Sequence, residues 1–110
     1  MTAEHRLITY GTLAPGRVNH GQISHLSGNW REGVVRGTLI EEGWGADHGC
    51  PGIRLHPEGE AVRVFVFESA DLPGHWQRLD AFEGHEYRRT EVTVEMDGES
   101  VEGCIYELSE

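Results

Sequence analysis

The run Ala61-Val62-Arg63-Val64-Phe65-Val66-Phe67 limits what this chain can fold into more than any other stretch. In an extended strand, Val62, Val64 and Val66 share one face and Phe65 and Phe67 the other. A strand that is apolar on both faces needs cover on both. Around it lie further short strands punctuated by glycine. Arg6 to Tyr10 is β-prone and stops at Gly11, and Val34 to Glu41 is strand-like, with Gly37 marking a bulge or a close approach. Thr90 to Met96 alternates, Asp97-Gly98 is a type I′ hairpin signal, and Val101 to Leu108 completes the hairpin. Strands flank two helical pieces instead of alternating with them, which argues for α+β and against repeated βαβ units. Several short strands with glycine bends can close into a small barrel.

At 110 residues the expectation is a single domain over 1–110, with one compact core. The 37% hydrophobic and 25% charged residues are ordinary for a globular chain. The formal net charge of -10 repels phosphate backbones, so neither nucleic acid nor an anionic membrane surface is an expected partner. All 9 basic residues are Arg, and they are spread along the chain. No apolar run approaches the roughly 18 residues of a membrane span. The start, Met1-Thr2-Ala3-Glu4-His5-Arg6, has no signal-peptide pattern, and the expected location is cytoplasmic. Cys50 and Cys104 are too few for a disulfide framework and read as packing thiols.

A second pattern points towards chemistry. Leu72, Trp76, Leu79 and Glu83 fall at i, i+4, i+7 and i+11, one stripe of a helix, with Phe82 beside them. Ser69 suits the N-cap of that helix, Pro73 falls within its first turn, and Gly84 suits a left-handed C-cap. Glu83 would then sit on the buried face, at the negative end of the helix dipole. Apolar surroundings and that dipole both disfavour the ionised form and should raise its pKa. A raised carboxylate in a cleft is suited to work as a general base near neutral pH. The alternative is a helix-end Glu that turns back to solvent or pairs with Arg88 or Arg89.

Near the N-terminus, Tyr10-Gly11-Thr12-Leu13-Ala14-Pro15-Gly16 reads as a strand running into a glycine-bounded loop. Gly11 would let backbone N–H groups approach a ligand and Thr12 adds a hydroxyl; the alternative is an ordinary turn. Gly11 and Gly16 have phosphate-loop spacing, but Arg17 stands where Lys is needed and Val18 where Ser or Thr would hold magnesium. Val18, Ile23 and Leu26 allow a short helix over 18–26, and the Gly- and Pro-rich stretch 42–57 reads mostly as loop. Among the 7 histidines, neither His20, His25 nor the Asp47-His48-Gly49-Cys50 cluster has a metal-ligand spacing, so no metal is expected. Neither cysteine lies at an apparent helix start that would lower its pKa, and no Gly-x-Ser-x-Gly elbow is present. A lone carboxylate suits proton shuttling within one substrate better than two-carboxylate glycoside chemistry.

Tyr10-Gly11-Thr12-Leu13, then Asn19-His20, then Leu79-Asp80-Ala81-Phe82-Glu83-Gly84 with Tyr87 and Arg89, resembles the γ-glutamylcyclotransferase-like superfamily. Within it, the chain is similar to the small γ-glutamylamine cyclotransferase and plant avirulence-induced branch, from about Ile8 to Leu108. The resemblance implies an α+β fold with a small mixed β-barrel, short flanking helices and a ligand cavity at one end. It implies that a γ-glutamyl amine or γ-glutamyl amino acid is cyclised to 5-oxoproline with release of the amine, without a cofactor. Glu83 takes the place of the general acid/base, and Tyr10, Gly11, Thr12 and Leu13 that of the segment binding the γ-glutamyl group. Tyr87 and Arg89 are further substrate-binding candidates, with Tyr10 and Arg89 alternatively supporting the loop or the cavity rim. The pattern departs at Val64-Phe65, where bulkier side chains than usual would reshape the cavity. The rival implication is a small-molecule-binding domain of the same fold without catalysis.

Overall fold

The structure, a computed structural model, describes residues 2–10, 21, 23–40, 52–84 and 87–108. Six strands and one α-helix make up its regular elements: β1 (Arg6–Thr9), β2 (Asn29–Ile40), β3 (Gly52–Leu55), β4 (Glu60–Glu68), α1 (Trp76–Glu83), β5 (Tyr87–Met96) and β6 (Glu99–Leu108). Short 3₁₀ turns lie at Ala3–His5 and Leu72–Gly74. The sheet order is β3-β2-β4-β1-β6-β5, and a further pairing of Val34 with Glu95 joins β2 back to β5. Five strands therefore close into a mixed barrel, and β3 extends it along the far half of β2. All neighbours are antiparallel except β1 and β6, which run parallel through Leu7–Cys104 and Ile8–Ile105.

The two-sided apolar strand explains the layering. Val62, Val64 and Val66 point into the barrel with Ile8, Val35, Val94 and Ile105. Phe67 points the other way, into a second cluster with Leu7, Leu72, Trp76, Leu79, Cys104 and Tyr106. Thus α1 and the two 3₁₀ turns cover the outside of β1, β4 and β6, while the closed sheet covers the inside. The hairpin turn is as expected for type I′: Asp97 and Gly98 have φ of 52° and 80°.

Four expectations need correction or narrowing. The helix does not begin after Ser69, because Leu72–Gly74 is a 3₁₀ turn and α1 starts only at Trp76. Pro73 lies inside that 3₁₀ turn, which closes through the His75 N–H donating to the Leu72 carbonyl at 2.8 Å. Ser69 instead supports the turn, its hydroxyl accepting the Asp71 N–H at 3.0 Å. Leu72, Trp76 and Leu79 remain one buried stripe, but Phe82, about 100° round the helix from Glu83, is 39% exposed. The stretch 42–57 contains a strand, β3, because Ile53 alternates into the core at 0% exposure despite the surrounding Gly and Pro. The strand expected from Val34 begins at Asn29, since β4 offers partners from Glu68 onwards.

Of the helix expected over 18–26, residues 18–20 and 22 lie outside the described residues; 23–25 form a turn with Ile23 buried. Among the described residues no helix is long and apolar enough to cross a membrane.

Gly37 marks a close approach, not a bulge. A Cβ there would stand 2.4 Å from the Arg54 carbonyl oxygen and 3.1 Å from the Leu55 Cα, both backbone atoms of β3. Gly37→Ala must therefore push β3 away from β2, and should lower stability by about 1–3 kcal/mol. Urea unfolding measures this; an unchanged midpoint would mean that β3 does not pack as described.

Candidate active site

The sequence brings its polar side chains to one end of the barrel through strand ends and a helix end. Trp76 opens α1, and its indole N–H donates to the Glu4 carbonyl at 2.8 Å, tying the helix start to the 3₁₀ turn that precedes β1. Seven residues later the helix ends at Glu83, followed by Gly84 at φ 82°. That positive φ fits the glycine, although ψ near 180° makes this an extended exit and not a left-handed α cap. Glu83 is half-buried, and burial pushes its carboxyl up to about 7. Arg88 and Arg89 pair with other carboxylates, Glu107 at 3.1 Å and Asp80 at 3.5 Å.

Tyr10 follows β1. Its hydroxyl donates to the Tyr106 carbonyl at 2.5 Å and accepts the Ile53 N–H at 3.2 Å, so its polar atom is spent on backbone. Burial holds the phenol far above its ordinary pKa, and the charges of Tyr87, Glu83 and Glu107 push the same way, against the Ile53 N–H. Tyr106 donates its own hydroxyl to Asp80 Oδ1 at 2.6 Å. Its pKa is also raised, first by burial, then by that bond and the Asp80 charge, with a further contribution from Glu83. Glu83 is therefore within electrostatic reach of both phenols. Beside it is a cavity of about 570 Å³ lined by Asp80, Ala81, Gly84, Tyr87, Arg89 and Tyr106. Glu83 is not among those lining residues, although its helix neighbours are.

A half-buried carboxyl that changes charge near neutrality, next to a cavity, can take and return protons without a second titrating partner. The γ-glutamyl cyclotransferase, AIG2-like family matches residues 7–110 of the chain. The chain belongs to the AIG2-like γ-glutamyl cyclotransferase family. No curated protein matches it by sequence. Among solved structures it is similar to YkqA from Bacillus subtilis, with 25% identity over 96% of this chain and a TM-score of 0.73. The chain spans only 36% of YkqA's length. An AIG2-like protein from Mus musculus gives the same identity and TM-score over 96% of this chain and 77% of its own. PH0828 from Pyrococcus horikoshii shares the fold at 20% identity, with a TM-score of 0.68 over 96% of this chain and 78% of its own.

Against the family's motifs, the structure brings Tyr10, Glu83, Tyr87 and Arg89 to the same end. Gly11, Thr12, Leu13 and the Asn19-His20 pair lie outside the described residues, as does Asp47-His48-Gly49-Cys50. Val64, where the motif departs, is 2% exposed inside the barrel. Cys104 packs beneath the first turn, its thiol pushed up by burial. Two further carboxylates, Asp80 and Glu107, lie at this end. No local pattern singles out Asp80 in the sequence. Glu107, 8% exposed, accepts the Thr90 hydroxyl at 2.6 Å and pairs with Arg88. Its signal was strand phase: it repeats the inward register of Ile105, where an apolar residue is the rule.

The Glu83 shift links to stability with a definite sign. Its folded-state value of about 7 lies above the ordinary 4.5, so its contribution is full below about pH 4.5 and is lost as pH rises through about 7. Glu83→Gln is neutral throughout, and should gain on the wild type between about pH 5 and about pH 8, on the order of 2 kcal/mol. Denaturant unfolding at both pH values checks this; an equal difference at both would show that Glu83 titrates normally.

Proposed function

We propose that the protein is a cofactor-independent cyclotransferase that converts a γ-glutamyl amine or γ-glutamyl amino acid to 5-oxoproline and the free amine. The observation that carries this assignment is the Glu83 carboxyl, raised to about 7 by burial at the end of α1 and flanked by the cavity. The reaction needs one group that can both accept and donate a proton. The α-amino nitrogen loses a proton as it attacks the γ-carbonyl carbon, forming the ring C–N bond. The bond from that carbon to the leaving nitrogen then breaks, and that nitrogen gains a proton. Glu83 takes the first proton as carboxylate and returns it as carboxylic acid, which is efficient only with a pKa near the working pH.

Gly11, Thr12 and Leu13 are assigned to the γ-glutamyl group, their backbone N–H groups steadying the oxyanion that develops on the γ-carbonyl. Tyr10 is assigned as a support, because its hydroxyl already serves Tyr106 and Ile53. Tyr87 and Arg89 are assigned to the cavity wall that receives the substrate.

Incubation with a panel of γ-glutamyl amines and γ-glutamyl amino acids, with 5-oxoproline as readout, tests the assignment. The wild type should release 5-oxoproline from at least one, with kcat/KM rising on the acid side as Glu83 ionises near pH 7. Glu83→Gln keeps the side-chain volume and should lose about 10²–10⁴-fold. A thermal shift with these compounds but no release would make the protein a binding domain of the same fold.

A further inference from the structure

Three side chains fasten the last turn of α1 to the β5–β6 hairpin. Asp80 lies one turn before Glu83, and its backbone carbonyl accepts the Gly84 N–H at 3.1 Å, closing the helix. The Asp80 carboxylate accepts the Tyr106 hydroxyl at 2.6 Å on Oδ1 and faces the Arg89 guanidinium at 3.5 Å on Oδ2. Tyr106 and Arg89 are cross-strand partners, so both come from one rigid ladder. Arg89 also lies 4.8 Å from the Trp76 ring centre, so one guanidinium reaches both the first turn of α1 and its last.

Helix stability does not explain these choices. A carboxylate in the final turn faces the negative end of the helix dipole and is unfavourable there. The Arg89–Asp80 contact is too exposed to contribute much by itself. The short bond from a neutral hydroxyl to a carboxylate is the strong member of the set, and it is directional. What the three residues achieve together is geometric: they fix where the end of α1 sits, and with it the residue three positions further on.

Building on the cyclotransferase assignment above, we propose that Tyr106, acting with Asp80 and Arg89, is a positioning residue for Glu83. It pins the last turn of α1 to the hairpin, so that the Glu83 carboxyl keeps its half-buried place beside the cavity and water does not fill that place.

The charged and titratable groups facing this end come from each neighbouring element: Asp80 on α1, Tyr87 and Arg89 on β5, Tyr106 on β6 and Tyr10 after β1. Glu107 and its partner Arg88 lie close enough for Glu107 to act on Tyr10. Burial is what raises the Glu83 carboxyl, so loosening the helix end lets water in and returns it towards the ordinary range.

Tyr106→Phe removes the hydroxyl and keeps the ring that packs on Trp76. Two readouts follow. In a carboxyl NMR titration, Glu83 of the variant should titrate at lower pH than in the wild type. In the 5-oxoproline assay, kcat should fall about 10-fold or more with KM changed less, and the acid limb of the pH–rate profile should move to lower pH. Asp80→Asn keeps an acceptor for Tyr106 but not the charge facing Arg89, and should lose less than Tyr106→Phe.

A Tyr106→Phe variant that is less stable, yet shows the wild-type titration of Glu83 and the wild-type acid limb, would make Tyr106 a packing residue and overturn the inference. A wild type that releases no 5-oxoproline would overturn the cyclotransferase assignment alone, because the NMR titration still decides whether Tyr106 positions Glu83.

Discussion

The parallel pairing of β1 with β6 is the constraint on which the rest of the structure depends. Consecutive residues of β1 serve opposite layers: Leu7 packs with Cys104 under α1, and Ile8 packs with Ile105 inside the barrel. Both are essentially unexposed, at 0% and 1%. Antiparallel hairpins alone would leave an open sheet with two edges. Inserting β1 between β4 and β6 joins the two halves of the chain, and the Val34–Glu95 contact then completes the ring. The same insertion brings Tyr10, just past the end of β1, against the backbone of Tyr106.

Closure also decides the electrostatics of the site. With the outer face of β1, β4 and β6 covered by α1, the end of that helix has a packed layer beneath it. Glu83 ends that helix among Asp80, Ala81 and Gly84, which line the cavity, and burial makes its carboxyl resist ionisation. The position of Glu83 in the last turn suggests a helix-dipole contribution to this shift. Burial is what raises the carboxyl, and α1, at 8 residues, is a short helix.

Much of this was legible because local patterns coincide with tertiary roles. The alternation of Val62, Val64 and Val66 against Phe67 announced two layers, and Asp97-Gly98 announced the final hairpin. The Leu72-Trp76-Leu79-Glu83 spacing placed a carboxylate at a buried helix end although the helix is shorter than expected, because a 3₁₀ turn keeps Leu72 on the stripe. What was not legible depends on partners distant in sequence. Ile53 becomes a strand residue only because β2 extends far enough to pair with it, and no local signal separates Gly52–Leu55 from the glycine-rich stretch before it. Asp80 and Tyr106 are 26 positions apart, and their hydrogen bond exists only once the barrel has closed. The backbone use of the Tyr10 hydroxyl is equally invisible in sequence, since Tyr106 and Ile53 are its partners only in the fold.

Packing holds the Glu83 carboxyl protonated where exposed carboxyls are fully ionised. Infrared difference spectra of wild type against Glu83→Gln, recorded from about pH 5 to about pH 8, read that state directly through the protonated carboxyl stretch. A protonated band assignable to Glu83 is expected at the acid end, giving way to carboxylate near pH 7. Its absence already at about pH 6 would make Glu83 an ordinary carboxylate at a helix end.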